Sequence, residues 1–404
     1  GKTVQRTVPL INSIPYIKDW IQEHPTGNNK NAFSMLDDVL QTNYEIILGL
    51  SENKAPNSDI KNKQKESVFI RKYTAKNLLP LHEVVVFDSG QAAFVYLDSD
   101  GKAVIVDHIE RPDKILCPAD NLDSQNPLPY IFASVEELEM YLELAKQETF
   151  DSLYQRVKSI LRKYVNVDEH YLTVIAADII YSYFQDKFST VHYDVFVGDN
   201  GSGKNSALLV ISRLAYRVYY VISASAPNYF TFYGNIEECQ GTIAEDEVGD
   251  LDKDYPKQKI LKSGYTSGGT VPKIDFPNGK RSQTAYTVYG MKWLAMEERP
   301  DSRKTKGIFD RSFIFNFIIG HVDYNIKDVI KNAGDPKFKP LYDELVRIHK
   351  ILFAFRLVHY NDVVPDIQMN IENRNAELTK PSLRLFLSRD DAPVAVEEIR
   401  LALS

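Results

Sequence analysis

Between Tyr193 and Ser206 the chain reads YDVFVGDNGSGKNS, and few folds accommodate such a segment. A short apolar run ends at a glycine-rich loop, and an apolar helical pattern resumes beyond it, which predicts strand, loop and helix. From Gly198 to Lys204 the spacing is G-x-x-x-x-G-K, the Walker A arrangement. Glycines at these places let backbone N–H groups converge on phosphate oxygens, and Lys204 would reach the β- and γ-phosphates of a nucleotide such as ATP. The helix starting near Lys204 adds its positive dipole end beneath the same anion. Nucleotide contacts are therefore expected from Gly198, Asp199, Asn200, Gly201, Ser202, Gly203, Lys204, Asn205 and Ser206. Asn205 stands where Ser or Thr ordinarily ligates Mg²⁺, and an amide oxygen can take that place as a neutral ligand of different reach. The alternative reading is a glycine-rich strand-to-helix turn that binds no nucleotide.

At 404 residues the chain exceeds one typical compact core, so two or three domains are expected. Its formal charge of -7 gives no global nucleic-acid signature, and any basic surface must be local. Cys117 and Cys239 are the only cysteines. They offer no disulfide framework and no zinc site, and suit a reducing cytoplasm. No apolar run approaches the roughly 18 residues of a membrane span, and no signal peptide opens the chain. The start at GKTVQ, without Met, reads as a fragment.

Residues 1–67 combine helical segments, IKDWIQEH and FSMLDDVLQ, with the polar linker SENKAPNSDIKNKQKES. Residues 68–167 begin with HEVVVFD, AAFVYLD and AVIVDHIE, separated by DSG and DSDG turns, which predicts a small antiparallel unit over about 68–118. Adaptor helices follow, the first with a capping box of Ser134 and Glu137. Residues 168–324 alternate strands and helices, as in a parallel sheet covered on both faces, with ligands at the carboxyl ends of its strands. A short helix is expected over Asn228–Glu238. Residues 325–404 are helical, a lid or connection in which Arg374 is a candidate second sensor. The fold class is thus α/β: a P-loop parallel-sheet core with an N-terminal α+β region and a C-terminal helical segment.

The run TIAEDE, Thr242–Glu247, reads as a Walker B strand. Asp246 is assigned to the metal and Glu247 to polarising the water that attacks the γ-phosphate, with Glu245 and Asp250 close enough in sequence for a one-residue slip. From Tyr255 to Arg311 there are 12 Lys or Arg against 5 Asp or Glu. Within that stretch two β-segments flank FPNGKR, where Asn-Gly is a hairpin signal. Lys262, Lys273, Lys280 and Arg281, beside Tyr265 and Phe276, suit a nucleic-acid backbone and its bases, while a solvated, aggregation-resistant edge explains them equally. Glu297 and Glu298 end the strand TVYGMKWLAM, and a polar loop, ERPDSRKTKGIF, leads to Asp310 and Arg311. Arg311 is either a finger that stabilises transition-state charge or the partner of a structural ion pair.

Taken together, residues from about 168 to 320 resemble the ATPase core of AAA+ and superfamily 3 helicase-like proteins, of the kind carried by archaeal, plasmid and phage replication and mobile-element proteins. GDNGSGKN matches Walker A, TIAEDE matches Walker B, and GYTSGGTVPK with FDRSFIF resembles their basic insert and arginine motif. The resemblance implies a ring hexamer that binds ATP and Mg²⁺ between subunits and draws a DNA strand, single-stranded, through its pore. Asn205 departs from the pattern, as do Glu297 and Glu298 where an Asn commonly acts as sensor. Two functions are carried forward: a DNA-directed ATPase of replication, and a slowly hydrolysing nucleotide-gated switch that acts on a protein partner.

Overall fold

The computed structural model describes residues 68–403, except 73, 76–79, 113, 120–125, 236–240, 250, 276–280, 301 and 365–373. Expectations for residues 1–67, Glu238, Cys239, Asp250, Phe276 and Lys280, and for the Arg374 side chain, lie outside the described residues.

Strands β1 (Val68–Lys72), β2 (Thr74–Ala75), β3 (His82–Phe87), β4 (Ala92–Leu97), β5 (Ala103–Val106), β6 (Ile109–Glu110), β7 (Lys114–Pro118) and β8 (Ile131–Phe132) form two small sheets. From β2 to β5 the chain is an antiparallel meander, with DSG and DSDG as its turns. The unit is not purely antiparallel, as the turn signals suggested: β1 pairs β7 and β8 pairs β3 in parallel. Parallel pairing needs a long crossover, here the meander itself for β1 and β7, and turn signals report only on strands adjacent in sequence. Alternation decides what each face covers. Val84 and Phe94 enclose a small local core with Leu116, while Val85 and Val95 face the main core.

Helices α1 (Val135–Gln147), α2 (Phe150–Tyr164) and α3 (Glu169–Ser182) follow, capped by Ser134, Thr149 and Asp168. Ser134 accepts from Glu137 N–H, but the Glu137 carboxylate reaches back to Ala133 N–H rather than to Ser134, so the expected box closes one residue early. Next come β9 (Tyr193–Val197), α4 (Lys204–Leu214), β10 (Val218–Ile222), α5 (Ala226–Asn235), β11 (Thr242–Asp246), α6 (Tyr255–Ser263), β12 (Thr270–Asp275), β13 (Ser282–Thr287), β14 (Lys292–Met296), α7 (Ser302–Phe309) and β15 (Ser312–Asn316). Strands β10, β11, β14, β9 and β15 lie side by side in that order, all parallel. From β9 the chain runs to the far edge at β10, and the later connection from β14 to β15 passes over β9. Strand order therefore reverses around the carboxyl end of β9, where such sheets bind ligands.

The segment expected to be a polar loop contains α7. Thr305 and Ile308 are buried three residues apart while Arg303, Lys304 and Lys306 are exposed, a stripe too narrow to stand out from the charges around it. The chain closes with α8 (Ile326–Lys331), α9 (Lys339–His359), α10 (Arg374–Leu387) and α11 (Pro393–Leu403). Helix α9 packs along α1, and α11 against α3 and α2. Buried apolar side chains form one connected core from Leu81 to Ile399. No helix among the described residues is long and apolar enough to cross a membrane.

Four charges are buried inside this core. Glu83 on β3 accepts from Arg217 Nη2 at 2.8 Å, Arg356 Nε at 2.7 Å and the Tyr216 hydroxyl at 2.8 Å. Arg356 also forks onto Asp186, at 3.0 and 2.9 Å. Two carboxylates thus balance two guanidiniums.

His349, on α9, stacks on Tyr130 at 4.4 Å between ring centroids. Burial, aided by the charges of Arg213 and Arg217, pulls its imidazole down to about 3. Unfolded histidine takes its proton near pH 6.5, so between these values the unfolded chain binds more protons. Stability is full above that point and falls on acidification, by up to about 1.4 kcal/mol per pH unit. The urea midpoint is expected to drop between pH 7 and pH 5, and less steeply in His349→Phe; parallel slopes would show that this histidine is not responsible.

Candidate functional site

The loop after β9 is shaped by its glycines. Phe317 N–H donates to the Val197 carbonyl at 2.7 Å, and a Cβ on Gly198 would lie 2.3 Å from the Phe317 oxygen. Only glycine fits without moving backbone. Gly203, at φ +97°, precedes α4, and no side chain caps that helix, which leaves its first-turn N–H groups to an anion or to solvent. The Lys204 ammonium is buried within the loop, donating to the carbonyls of Gly198 at 2.6 Å and Asp199 at 2.9 Å.

The structure brings Asn205 and Asp246 together. Asn205 Nδ2 donates to Asp246 and, at 3.2 Å, to the Tyr220 hydroxyl, while its Oδ1 is buried with no partner. An uncommitted amide oxygen beside a carboxylate is a pair of hard oxygen donors, a set that fits Mg²⁺.

Alternation along β11 separates the three consecutive carboxylates. Glu245 is fully buried, ion-paired with Lys257 and accepting from Tyr229 OH at 2.5 Å and Ala224 N–H at 2.9 Å. Burial outweighs these partners and raises its carboxyl above the ordinary range. Asp246 faces Asn205, and Glu247 is exposed just past the strand. Glu247 sits at φ +53°, and Ser223, past the neighbouring β10, at φ +49°. Each left-handed residue costs roughly 1–2 kcal/mol. The Ser223 hydroxyl donates to the Glu247 carbonyl at 3.1 Å, joining the two strained residues at the sheet edge beside the loop. Such strain concentrates at functional sites.

Glu297, just past the end of β14, accepts from the Asn200 amide of the glycine-rich loop, while Glu298 beside it is exposed. Arg311 lies elsewhere. Its carbonyl accepts from Tyr193 N–H at the start of β9, so it occupies the opposite edge of the sheet, about 16 Å from the loop at strand rise. There its guanidinium donates to the Gly307 carbonyl and covers the Tyr265 ring at 4.1 Å.

The expected hairpin is formed by β12 and β13, paired from Thr270↔Thr287 to Asp275↔Ser282. Arg281, next to its tip, is exposed, and Lys273 lies over the Phe230 ring at 5.9 Å. Lys262 is not on the hairpin. It donates to the Lys304 carbonyl at 2.9 Å and Gln258 at 3.2 Å, holding α6 to α7. Tyr265 offers its face to Arg311 rather than to a base.

One feature had no signal in sequence. Past the ends of α2 and β15 is an open cavity of about 850 Å³ lined by Asn166, Asp168, Tyr171, Asn316, Ile318 and Leu401. Its residues come from three distant segments, so no local pattern marks it.

No family model and no curated protein matches the sequence. Among solved structures, the chain is similar to a JCV helicase at 12% identity and a TM-score of 0.30, over 67% of this chain and 66% of that one. The match thus spans just under two thirds of the JCV helicase chain. The C-terminal region of NrS-1 aligns at 11% identity and a TM-score of 0.32, over 76% of this chain and 77% of that one. A full-length MCM homolog from Methanopyrus kandleri aligns at 12% identity and a TM-score of 0.38, over 100% of this chain and 92% of that one.

Proposed function

We propose that the chain is an ATP-dependent helicase or translocase acting on DNA in replication, with Mg²⁺-ATP on the Gly198–Ser206 loop. The observation that supports this most is the meeting of Asn205, at the start of α4, with Asp246, at the end of β11. A lysine-bearing phosphate loop and a metal-binding carboxylate then share one edge of the sheet.

When bound, Mg²⁺ would neutralise charge on the β- and γ-phosphates. Asn205 Oδ1 and Asp246 would hold it. Lys204 would exchange its two loop carbonyls for phosphate oxygens, and Glu247 would orient the attacking water and take its proton. The cavity past the end of β15, the strand paired with β9, would receive the base against Tyr171. Arg311, too distant to serve its own loop, would complete the site of a neighbouring copy, so this reading requires an oligomer, a hexamer in the arrangement the resemblance implies. Ile318 and Ile319, 70% and 71% exposed, follow the residue that contacts Gly198 and would be covered by that neighbour. Hydrolysis would move the hairpin, carrying Lys273, Lys280 and Arg281 along a single strand.

The test is the steady-state ATPase rate with and without single-stranded and duplex DNA, beside Glu247→Gln. DNA is expected to raise the rate, and the variant to lose about 10²-fold or more in turnover while still binding ATP. Turnover unmoved by DNA at low salt would reject a DNA-directed motor. A second reading, the slowly hydrolysing switch acting on a protein partner, is favoured by Asn205 at the hydroxyl position and by a carboxylate, Glu297, against the phosphate loop. Tight ATP binding with background turnover and no strand displacement would select it.

A further inference from the structure

His192 and Asp194 are two residues apart at the start of β9, so both side chains leave the strand on the same face. Helix α3 covers that face and contributes Asp178. His192 Nε2 lies 2.9 Å from Asp178 Oδ2 and 3.7 Å from Asp194 Oδ1, and one ligand atom from each residue fits within 4.8 Å of the others. All three residues are fully buried. No well-aligned hydrogen bond reaches either Asp194 oxygen or His192 Nδ1, although the Trp293 indole and the Asp178 carboxyl both lie within interaction reach of Asp194.

Charge makes this cluster unusual. No lysine or arginine pairs with either carboxylate among the described residues. A protonated His192 would neutralise one of them and leave the other buried and uncompensated, which folded proteins avoid unless a metal or a proton intervenes. The geometry suits an ion. Donors about 2.1 Å from a tetrahedral centre stand about 3.4 Å apart, between the two separations observed here. Ser382 Oγ donates to the other Asp178 oxygen, fixing that carboxylate, and the rings of Tyr181 and Phe313 flank the imidazole at 6.1 and 4.7 Å.

We propose that Asp178, His192 and Asp194 bind a divalent transition-metal ion, zinc by this donor set, which ties α3 to the first residues of the phosphate-loop strand. The site is about 13 Å along β9 from the loop at strand rise, and is separate from any Mg²⁺ carried with nucleotide. Counting cysteines excludes a thiolate site and says nothing of imidazole with carboxylates.

The test is the metal content of the nucleotide-free, full-length chain, purified without a histidine tag or chelator. About one zinc per chain is expected, falling at least about tenfold in His192→Gln and in Asp194→Asn, retained in Asp246→Asn, and bound about tenfold more weakly in Ser382→Ala. Should those core variants fail to fold, the native chain decides: refolded from EDTA, it is expected to gain thermal stability on adding Zn²⁺ and to show tetrahedral d–d absorption with Co²⁺. A metal-free protein whose melting temperature ignores Zn²⁺, Mn²⁺ and Co²⁺ would overturn the proposal, as would bound metal that survives the substitution of both His192 and Asp194.

Discussion

Lys204→Ala is expected to lower ATP turnover by at least about 10²–10³-fold, the effect of removing one preorganised donor from developing transition-state charge. The effect should be this large because the ammonium is already inside the loop. Its partners, the carbonyls of Gly198 and Asp199, hold it on the path of the chain where phosphates would lie, so little reorganisation is needed to engage them. Lys204→Arg tests whether charge alone suffices: the larger planar guanidinium does not fit a pocket sized for an ammonium, and it should rescue little. Melting curves control for folding, because the lysine's own bonds go to backbone that α4 and β9 already fix. Turnover within tenfold of the native rate would show that this loop is not the site of hydrolysis.

The second large effect is on stability. Arg356→Ala removes the guanidinium that Glu83 and Asp186 share, leaving Glu83 paired with Arg217 and stripping Asp186 of the fork that holds it. Breaking a buried ion pair from one side costs about 3–5 kcal/mol, far more than a surface pair returns. Urea unfolding should report a loss of that size. Arg356→Lys should recover only part of it, since an ammonium cannot fork onto Asp186 while also reaching Glu83. A loss under about 1 kcal/mol would mean that water or rearranged partners replace the arginine.

What the sequence revealed follows from which constraints are local. The strand, glycine loop and helix over Tyr193–Ser206 were legible because the loop backbone demands glycine at fixed intervals: Gly198 under the Phe317 carbonyl and Gly203 at positive φ cannot be replaced freely. The meander and the Asn-Gly hairpin were legible for the same reason. Asp246 was named from its place at the end of the run and does meet Asn205, but the margin against a one-residue slip was thin, because three carboxylates in a row have no hydrophobic contrast to reveal the strand's faces. Lys257, twelve residues on, gives Glu245 its buried partner, and nothing near either residue announces it. Glu83, Asp186, Arg217 and Arg356 carry no signal singly and become a core feature only when four separate parts of the chain converge. Helix α7 was hidden by its own lysines. Arg311 was named as a candidate; its distance from the loop follows from its place at the amino end of β15, a strand parallel to β9.

The continuous core from Leu81 to Ile399 bears on how force could be produced. Sheet, β-rich unit and C-terminal helices are cemented by close-packed side chains, and dense interiors transmit strain instead of absorbing it. On the proposed reading as a motor, a power stroke would be borne at the periphery, by the β12–β13 hairpin and the loops at the carboxyl edge, with the remainder acting as a stiff chassis.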